Sequence, residues 1–281
     1  MDCENVKNQI TEWLTDYNNN TAKTKGFVVG VSGGVDSGLV STLCAITGIK
    51  TILVELPINR KESEITTRAS EHCNWLKEKY PNVEVYKIDL SIPFNEMLKT
   101  YPNDVPELTY ANLSSRIRMC SLYMFSNTIS GLVVGTGNKI EDTGISFFSR
   151  YGDGGVDISP IGDLMKSEVR ELASFLGVSE AITKAVPTDE LWSDSRSDES
   201  QLGASYDDLE WAMKTFESML GGQRCYVKKQ IRDNGSIDGC SVKVYDEMTP
   251  EQKKVFNIFI TRHVKYEFKN NMPPVCYVER N

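Results

Sequence analysis

Apolar runs and amphipathic stretches alternate along most of this chain. Runs of β type occupy Gly26 to Val31, Thr51 to Leu56, Val83 to Ile88 and Gly131 to Thr136. Between them, Gly38 to Ile46, Lys61 to Lys79 and Leu113 to Ile129 place apolar residues at helical spacing. This alternation predicts an α/β fold, a three-layer, doubly wound parallel sheet with helices on both faces, in which ligands bind outside the carboxyl ends of the strands. An amphipathic helix opens the chain, with Val6, Ile10, Trp13, Leu14 and Tyr17 on one face before the polar break Asn18-Asn19-Asn20. Further helices are expected over Lys166 to Leu176, closed by Gly177, over Ser205 to Leu220, and from Pro250 to about Lys265. Gly221 to Met248 reads as less regular, with a turn at Asp233-Asn234-Gly235. The polar loop from Pro187 to Gly203 reads as a mobile lid, because long loops in compact domains are usually functional or disordered. The expected organisation is a main domain over 1–220 and a helical C-terminal extension over 221–281 packed on it.

Composition narrows the picture. A length of 281 residues with 40% hydrophobic content fills a sizeable core, and the net charge of −8, without any basic block, argues against nucleic acid as a partner. No apolar run approaches the ~18 residues that span a bilayer, and Met1-Asp2-Cys3-Glu4 lacks the features of a signal peptide, so no membrane association and a cytoplasmic location are expected. Seven cysteines without a C-x-x-C pair, and two histidines, support neither a disulfide framework nor structural zinc. Cys44 and Cys120, within helical apolar patterns, read as small buried hydrophobes.

The chemistry concentrates where the first strand meets the first crossover helix, at Ser32-Gly33-Gly34-Val35-Asp36-Ser37. Paired glycines let backbone amides approach an anion without Cβ clashes, the two serines add hydroxyls, and the helix N-terminus adds unpaired N–H groups. A carboxylate beside phosphates would repel them unless it holds Mg²⁺ bridging phosphate oxygens, which is the reading for Asp36. The chain contains no Walker A spacing. On local grounds alone the hexapeptide could also be a strand-to-helix turn with a Ser or Asp cap.

The hexapeptide resembles the pyrophosphate loop of the ATP pyrophosphatases that adenylate their substrates, which implies a Rossmann-like fold of adenine nucleotide α-hydrolase type and ATP as co-substrate. Three more motifs are similar to those of NAD synthetases in order and spacing: Gly135-Thr136-Gly137-Asn138-Lys139-Ile140-Glu141, Tyr151-Gly152-Asp153-Gly154-Gly155, and Pro160-Ile161-Gly162-Asp163-Leu164-Met165-Lys166. Ser197 to Gly203 and Pro187-Thr188 also look like that family. The resemblance runs from about Tyr17 to Leu209.

It implies a set of roles. Ser32, Gly33, Gly34, Val35, Asp36, Ser37, Arg118, Thr136, Lys166 and Thr188 would bind ATP. Tyr17, Asn112, Arg116, Arg150, Asp153 and Glu199 would face the dinucleotide substrate, and Asp36 with Glu141 would complete a Mg²⁺ site across neighbouring strand ends. Read by residue type alone, Thr136 could be an ordinary strand residue, Lys166 a solvated first-turn lysine, Glu141 a surface acid, and Arg116 and Arg118 a polar helix face. Lys166 and Asp153 are the expected catalytic residues, Lys166 at the ATP phosphates and Asp153 steering or deprotonating ammonium.

The implied reaction is adenylation of the nicotinate carboxylate of deamido-NAD by ATP, followed by capture of the acyl-adenylate by ammonia. No amidohydrolase domain precedes the loop in this sequence, so ammonia is the expected donor, with a separate glutaminase subunit as the other route. The family's homodimer is expected too. The sequence departs from the family at Phe268-Lys269-Asn270, where an H-K-R-type segment often stands, and at Glu55, where many relatives carry Arg. The alternatives are another adenylating amidase or thiolase of the superfamily, or a nucleotide-binding relative without turnover.

Overall fold

The computed structural model describes residues 1–59, 64–102, 104–188, 197–237 and 242–278. The start of the helix expected from Lys61, the middle of the expected lid, and Cys240 lie outside them. The chain groups into two units, Met1–Lys139 with Phe148–Gln201, and Ile140–Phe147 with Leu202–Asn281. This grouping sets the helix after Ser205 with the C-terminal helices, whereas the sequence reading drew its boundary at 220.

The first unit holds α1 (Cys3–Asp16), β1 (Phe27–Gly30), α2 (Val35–Ile46), β2 (Thr51–Glu55), α3 (Glu64–Lys79), β3 (Val83–Lys87), α4 (Ser91–Leu98), α5 (Glu107–Ile129), β4 (Leu132–Val133), α6 (Lys166–Phe175) and α7 (Glu180–Thr183). The strands pair in parallel in the order β3-β2-β1-β4. Side chains alternate across this sheet. Phe27, Val29 and Leu53 face a core shared with α2, α3 and α6, while Val28, Ile52 and Val54 face one covered by α4 and α5. Three layers follow directly. The chain runs outward from β1 to β3 and then returns to β4 on the other side of β1, so the point where strand order reverses lies at the carboxyl end of β1. The Ser32 loop begins there.

Element ends differ from expectation for local reasons. The strand expected over Gly131 to Thr136 is paired to β1 only at Leu132 and Val133, after which Val134 bridges to Ile158. Helix α4 escaped the periodicity reading because Phe94 is its one buried side chain; Pro93 is tolerated in its first turn, and Asp89 accepts the Ser91 N–H at 2.8 Å. Cys120 is exposed on α5, not buried as expected: it belongs to a helix whose apolar residues are spread too evenly to mark a face. Cys44 is buried, and desolvation pushes its thiol pKa up.

A buried polar pair lies under α2. His72 is 4% exposed and its Nε2 is 2.9 Å from the Ser41 hydroxyl. Burial pushes the His72 pKa down to about 4 from 6.5, against an opposing hydrogen bond to the Gly38 backbone. The unfolded chain therefore binds the extra proton between those two values, so stability is lost as pH falls from 6.5 to about 4 and is fully present above. The loss amounts to about 3 kcal/mol over that window. Urea midpoints at pH 7 and pH 4.5 should separate by less in His72→Gln than in the parent; equal separations would remove His72 as the source.

The second unit begins again at Leu202, the last residue of α8 (Asp198–Leu202), and holds α9 (Tyr206–Ser218), α10 (Gly221–Asn234), α11 (Lys243–Asp246) and α12 (Pro250–Tyr266), together with the π turn Ile140–Gly144. Phe216, Phe256 and Phe259 form its aromatic centre. Thr249 and Gln252 cap α12 reciprocally, with Pro250 at its first turn. The stretch expected to be irregular from Gly221 is instead α10. Its pattern is faint because only Val227 and Ile231 are buried, and Gly235, expected as a turn residue, is its left-handed C-terminal cap at φ 71°.

Candidate active site

At the end of β1, Val31 N–H still bonds to Val54 O at 3.0 Å, after which the chain leaves the sheet and turns into α2. Gly33 takes φ +89°, and a Cβ there would lie 2.6 Å from the Ile65 carbonyl oxygen of α3. Gly34 caps α2, and the first helical bond runs from Gly38 N–H to Gly34 O, so the amides of Val35, Asp36 and Ser37 precede it. The loop is braced from within. Ser37 Oγ accepts from Ser32 N–H at 3.2 Å, donates to Gly34 O at 3.0 Å, and lies 3.1 Å from Ser32 Oγ. Gly34 N–H bonds to Ser32 Oγ at 3.3 Å. Ser37 is buried and shapes the turn, while Ser32 is exposed. The result is a set of amides and a hydroxyl at a helix N-terminus, suited to an anion.

Asp36 stands on the first turn of that helix with its carboxylate oriented by two donors. Asn138 Nδ2 donates to Oδ1 at 2.9 Å and Lys166 Nζ to Oδ2 at 2.5 Å. The Lys166 side chain is 5% exposed and that of Asp36 15%, so the pair is largely withdrawn from water. Sequence alone reads a first-turn lysine as solvated; α6 places it inward because Val169, Leu172 and Ala173 of the same face enter the core. Asn138 is fully buried and went unremarked in the sequence reading; the signal was its place inside the Gly135–Glu141 motif. The donor set suits Mg²⁺, which takes hard oxygen ligands and keeps waters and phosphates. Among the described residues no group of three or more His, Cys, Asp or Glu could hold a metal ion.

A second group of expected residues is gathered by α5. Asn112, Ser115 and Arg116 share one face at i, i+3, i+4 spacing, and each meets the loop 149–153. Ser149 Oγ donates to Asn112 Oδ1, Arg116 Nε donates to Arg150 O at 3.4 Å, and Ser115 Oγ donates to Asp153 Oδ1 at 2.6 Å. Asn112 and Arg116, expected to contact the dinucleotide, thus also secure the loop that carries Arg150 and Asp153. Arg118 turns elsewhere, donating from Nε to Leu56 O at 3.0 Å just past the end of β2. Thr136 lies half-buried beyond β4, next to Gly135, whose N–H bonds Ile158 O at 2.7 Å. The Tyr17 ring lies tilted against that of Trp13, 5.5 Å between centroids, Thr188 is half-buried after Pro187, and Glu199 is half-buried on α8. Glu55, the unusual residue at the end of β2, is 6% exposed and accepts from Ser70 Oγ at 2.6 Å, with Lys87 Nζ at 3.5 Å.

Glu141 belongs to the second unit. It sits in the π turn, where Tyr206 OH, 1% exposed, donates to its Oε1 at 2.6 Å. The C-terminal segment holds the same turn: Lys269 Nζ donates to Ser146 O at 3.0 Å and Asn270 Nδ2 to Asp142 O at 3.1 Å. His263 is partly buried on Phe259 with Nδ1 2.8 Å from Gly144 O, and desolvation lowers its pKa. Tyr206→Phe should cost about 1–3 kcal/mol by removing one buried hydrogen bond to a carboxylate, read as a lower urea midpoint at unchanged slope. An unchanged midpoint would show that this bond is energetically idle.

A parallel α/β sheet with a glycine-bearing turn at its switch point and a largely buried carboxylate–lysine pair beside it is an architecture suited to holding the phosphates of a nucleotide. The NAD synthase family model matches residues 6–237. An NH3-dependent NAD(+) synthetase of Methanosarcina mazei is 34% identical over 278 residues, covering 98% of each chain. One from Mesoplasma florum is 36% identical over 207 residues, 72% of this chain and 82% of that one. The solved NH3-dependent NAD synthetase of Campylobacter jejuni superposes with a TM-score of 0.74 at 25% identity over 99% of this chain and 100% of that chain, and an NMN synthetase of Francisella tularensis shares the fold with a TM-score of 0.78 at 23% identity. The chain belongs to the NAD synthase family.

Proposed function

We propose that this chain is an ammonia-dependent NAD synthetase, a ligase that converts deamido-NAD, ATP and ammonia into NAD, AMP and pyrophosphate. The observation that carries the reading is the Ser32 loop with Asp36 tied to Lys166, inside a chain of this family. A carboxylate oxygen of the nicotinate group attacks the α-phosphorus, the α–β bond breaks, and pyrophosphate departs. Ammonia then adds to the acyl carbon, AMP leaves with the bond electrons, and the nitrogen loses a proton. The chain contributes position and charge rather than a covalent nucleophile. Loop amides and Ser32 hold the departing phosphates, and Lys166 offsets the charge that builds on them. Mg²⁺, held by Asp36, would supply further charge neutralisation on the phosphate oxygens. The metal role of Glu141 rests on the family resemblance alone, as do the substrate contacts of Tyr17, Arg150, Thr188 and Glu199. Asp153 serves the ammonia side, since a carboxylate attracts the ammonium cation.

A homodimer is proposed on the same resemblance and is tested by sedimentation; on α5, Leu122 and Phe125 pack inward while Met124 is 70% exposed. No helix among the described residues is long and apolar enough to cross a membrane. The deciding assay mixes protein, ATP, Mg²⁺, ammonium and deamido-NAD and follows AMP and NAD. NAD formation that requires all four supports the reading. AMP formed without deamido-NAD, or ATP bound without AMP, overturns it.

A further inference from the structure

The hydroxyl of Ser115 meets both the backbone and the side chain of Asp153 where α5 contacts loop 149–153. It donates to Asp153 Oδ1 at 2.6 Å and accepts from Asp153 N–H at 2.8 Å, so one oxygen grips both the side chain and the backbone of the same residue. Ser149 N–H adds a third bond, to Asp153 Oδ1 at 3.0 Å. Ser115 itself is 7% exposed, fixed on a helix of 23 residues, whereas Asp153 lies exposed in the loop. The neighbouring glycine fits the same purpose: a Cβ on Gly152 would lie 2.3 Å from Ser115 Oγ and 2.9 Å from its Cβ. Only a residue without a side chain lets the loop come close enough for the paired bonds.

We propose that Ser115 is the positioning residue of Asp153, holding its carboxylate at the place that captures ammonium. The inference rests on the reading of Asp153 as the ammonia-side carboxylate. Its physical basis is twofold. Of the three bonds to this residue, one anchors its backbone and two hold its carboxylate, fixing a side-chain torsion that would otherwise sample several rotamers on an exposed loop. Two of them end on the same carboxylate oxygen, and hydrogen bonds to a carboxylate are among the strong ones, so the group is held firmly where it stands. A serine does this with one atom because a hydroxyl donates and accepts at once.

Steady-state kinetics of four proteins test it: the parent, Ser115→Ala, Asp153→Asn and the double variant, with ammonium varied at saturating ATP, Mg²⁺ and deamido-NAD. Ser115→Ala should raise the ammonium KM about tenfold, the scale of losing a hydrogen bond to a charged group. Its kcat and its KM values for ATP and deamido-NAD should stay within about twofold of the parent, which a general loosening of the fold would not allow. In the Asp153→Asn background the serine substitution should add nothing, because its effect passes through the carboxylate. Gly152→Ala, which leaves α5 unaltered, should raise the ammonium KM in the same direction. Additive effects in the double variant, an unchanged ammonium KM in Ser115→Ala beside a raised one in Asp153→Asn, or a rise in all three KM values overturns the role of Ser115 and leaves that of Asp153 standing. Parental ammonium kinetics in Asp153→Asn instead removes the ammonia-side reading of Asp153 itself.

Discussion

Asp36→Asn is expected to lower the rate of AMP formation at least a hundredfold, on the scale of losing one preorganised charge-stabilising group. The side chain keeps its shape, and its carbonyl oxygen can still face Asn138, but the charge that meets Lys166 at 2.5 Å is gone. Two consequences separate here. Lys166, 5% exposed, is left in the protein without this carboxylate, and breaking a largely buried pair from one side typically costs about 3–5 kcal/mol, so the urea midpoint should fall as well. If Asp36 also holds Mg²⁺, raising the metal concentration should restore part of the Asp36→Asn activity and none of that of Lys166→Met, which leaves the carboxylate in place. Asp36→Asn turning over above about a tenth of the parental rate would end the assignment of Asp36 to the reacting phosphates.

Gly33→Ala is expected to be nearly as damaging, through the backbone. At φ +89° an alanine sits in the left-handed region, and its Cβ would be 2.6 Å from the Ile65 carbonyl oxygen and 3.3 Å from Ala69 N, both fixed in α3. Neither is the tip of a flexible side chain, so the loop itself must move. The expected cost is about 2–3 kcal/mol, or a melting temperature lower by about 3–5 °C in a chain of this size. The ATP KM should rise at least about tenfold as the loop amides leave their places. Gly34→Ala is the control. There φ is −87° and the nearest atom to an added Cβ is Ser32 Oγ at 3.4 Å, so the melting temperature should change little. Gly33→Ala with parental melting and parental ATP KM would show that the turn is not a constrained element.

Both expectations draw on a site that was legible to different depths. The Ser32 loop could be read from residues in a row, because a glycine pair, flanking hydroxyls and a following helix are local properties. Lys166 could be named only through its motif, since nothing in the sequence says that a first-turn lysine is pulled inside by Val169 and Leu172. Asn138 and Tyr206 were missed as site residues for the same reason: an amide or a phenol acquires meaning only from the carboxylate it meets, Asp36 in one unit and Glu141 in the other. The C-terminal departure at Phe268-Lys269-Asn270 looked like the loss of a binding segment. In the structure Lys269 and Asn270 brace the turn that carries Glu141, a use that no motif comparison could supply.

By itself the sequence determined the alternation of strands and helices, the switch-point placement of the anion-binding turn and the family, because hydrophobic period, glycine freedom and helix-terminal amides act over a few neighbouring residues. The tertiary structure alone decided that Asp36 is held between an amide 102 positions away and an ammonium 130 positions away, and that α5 secures the Asp153 loop. It also decided that α10 is a helix despite its faint pattern and that Cys120 faces outward. Those outcomes depend on which surfaces meet when the whole chain folds, and burial across such separations leaves no period to read along the chain.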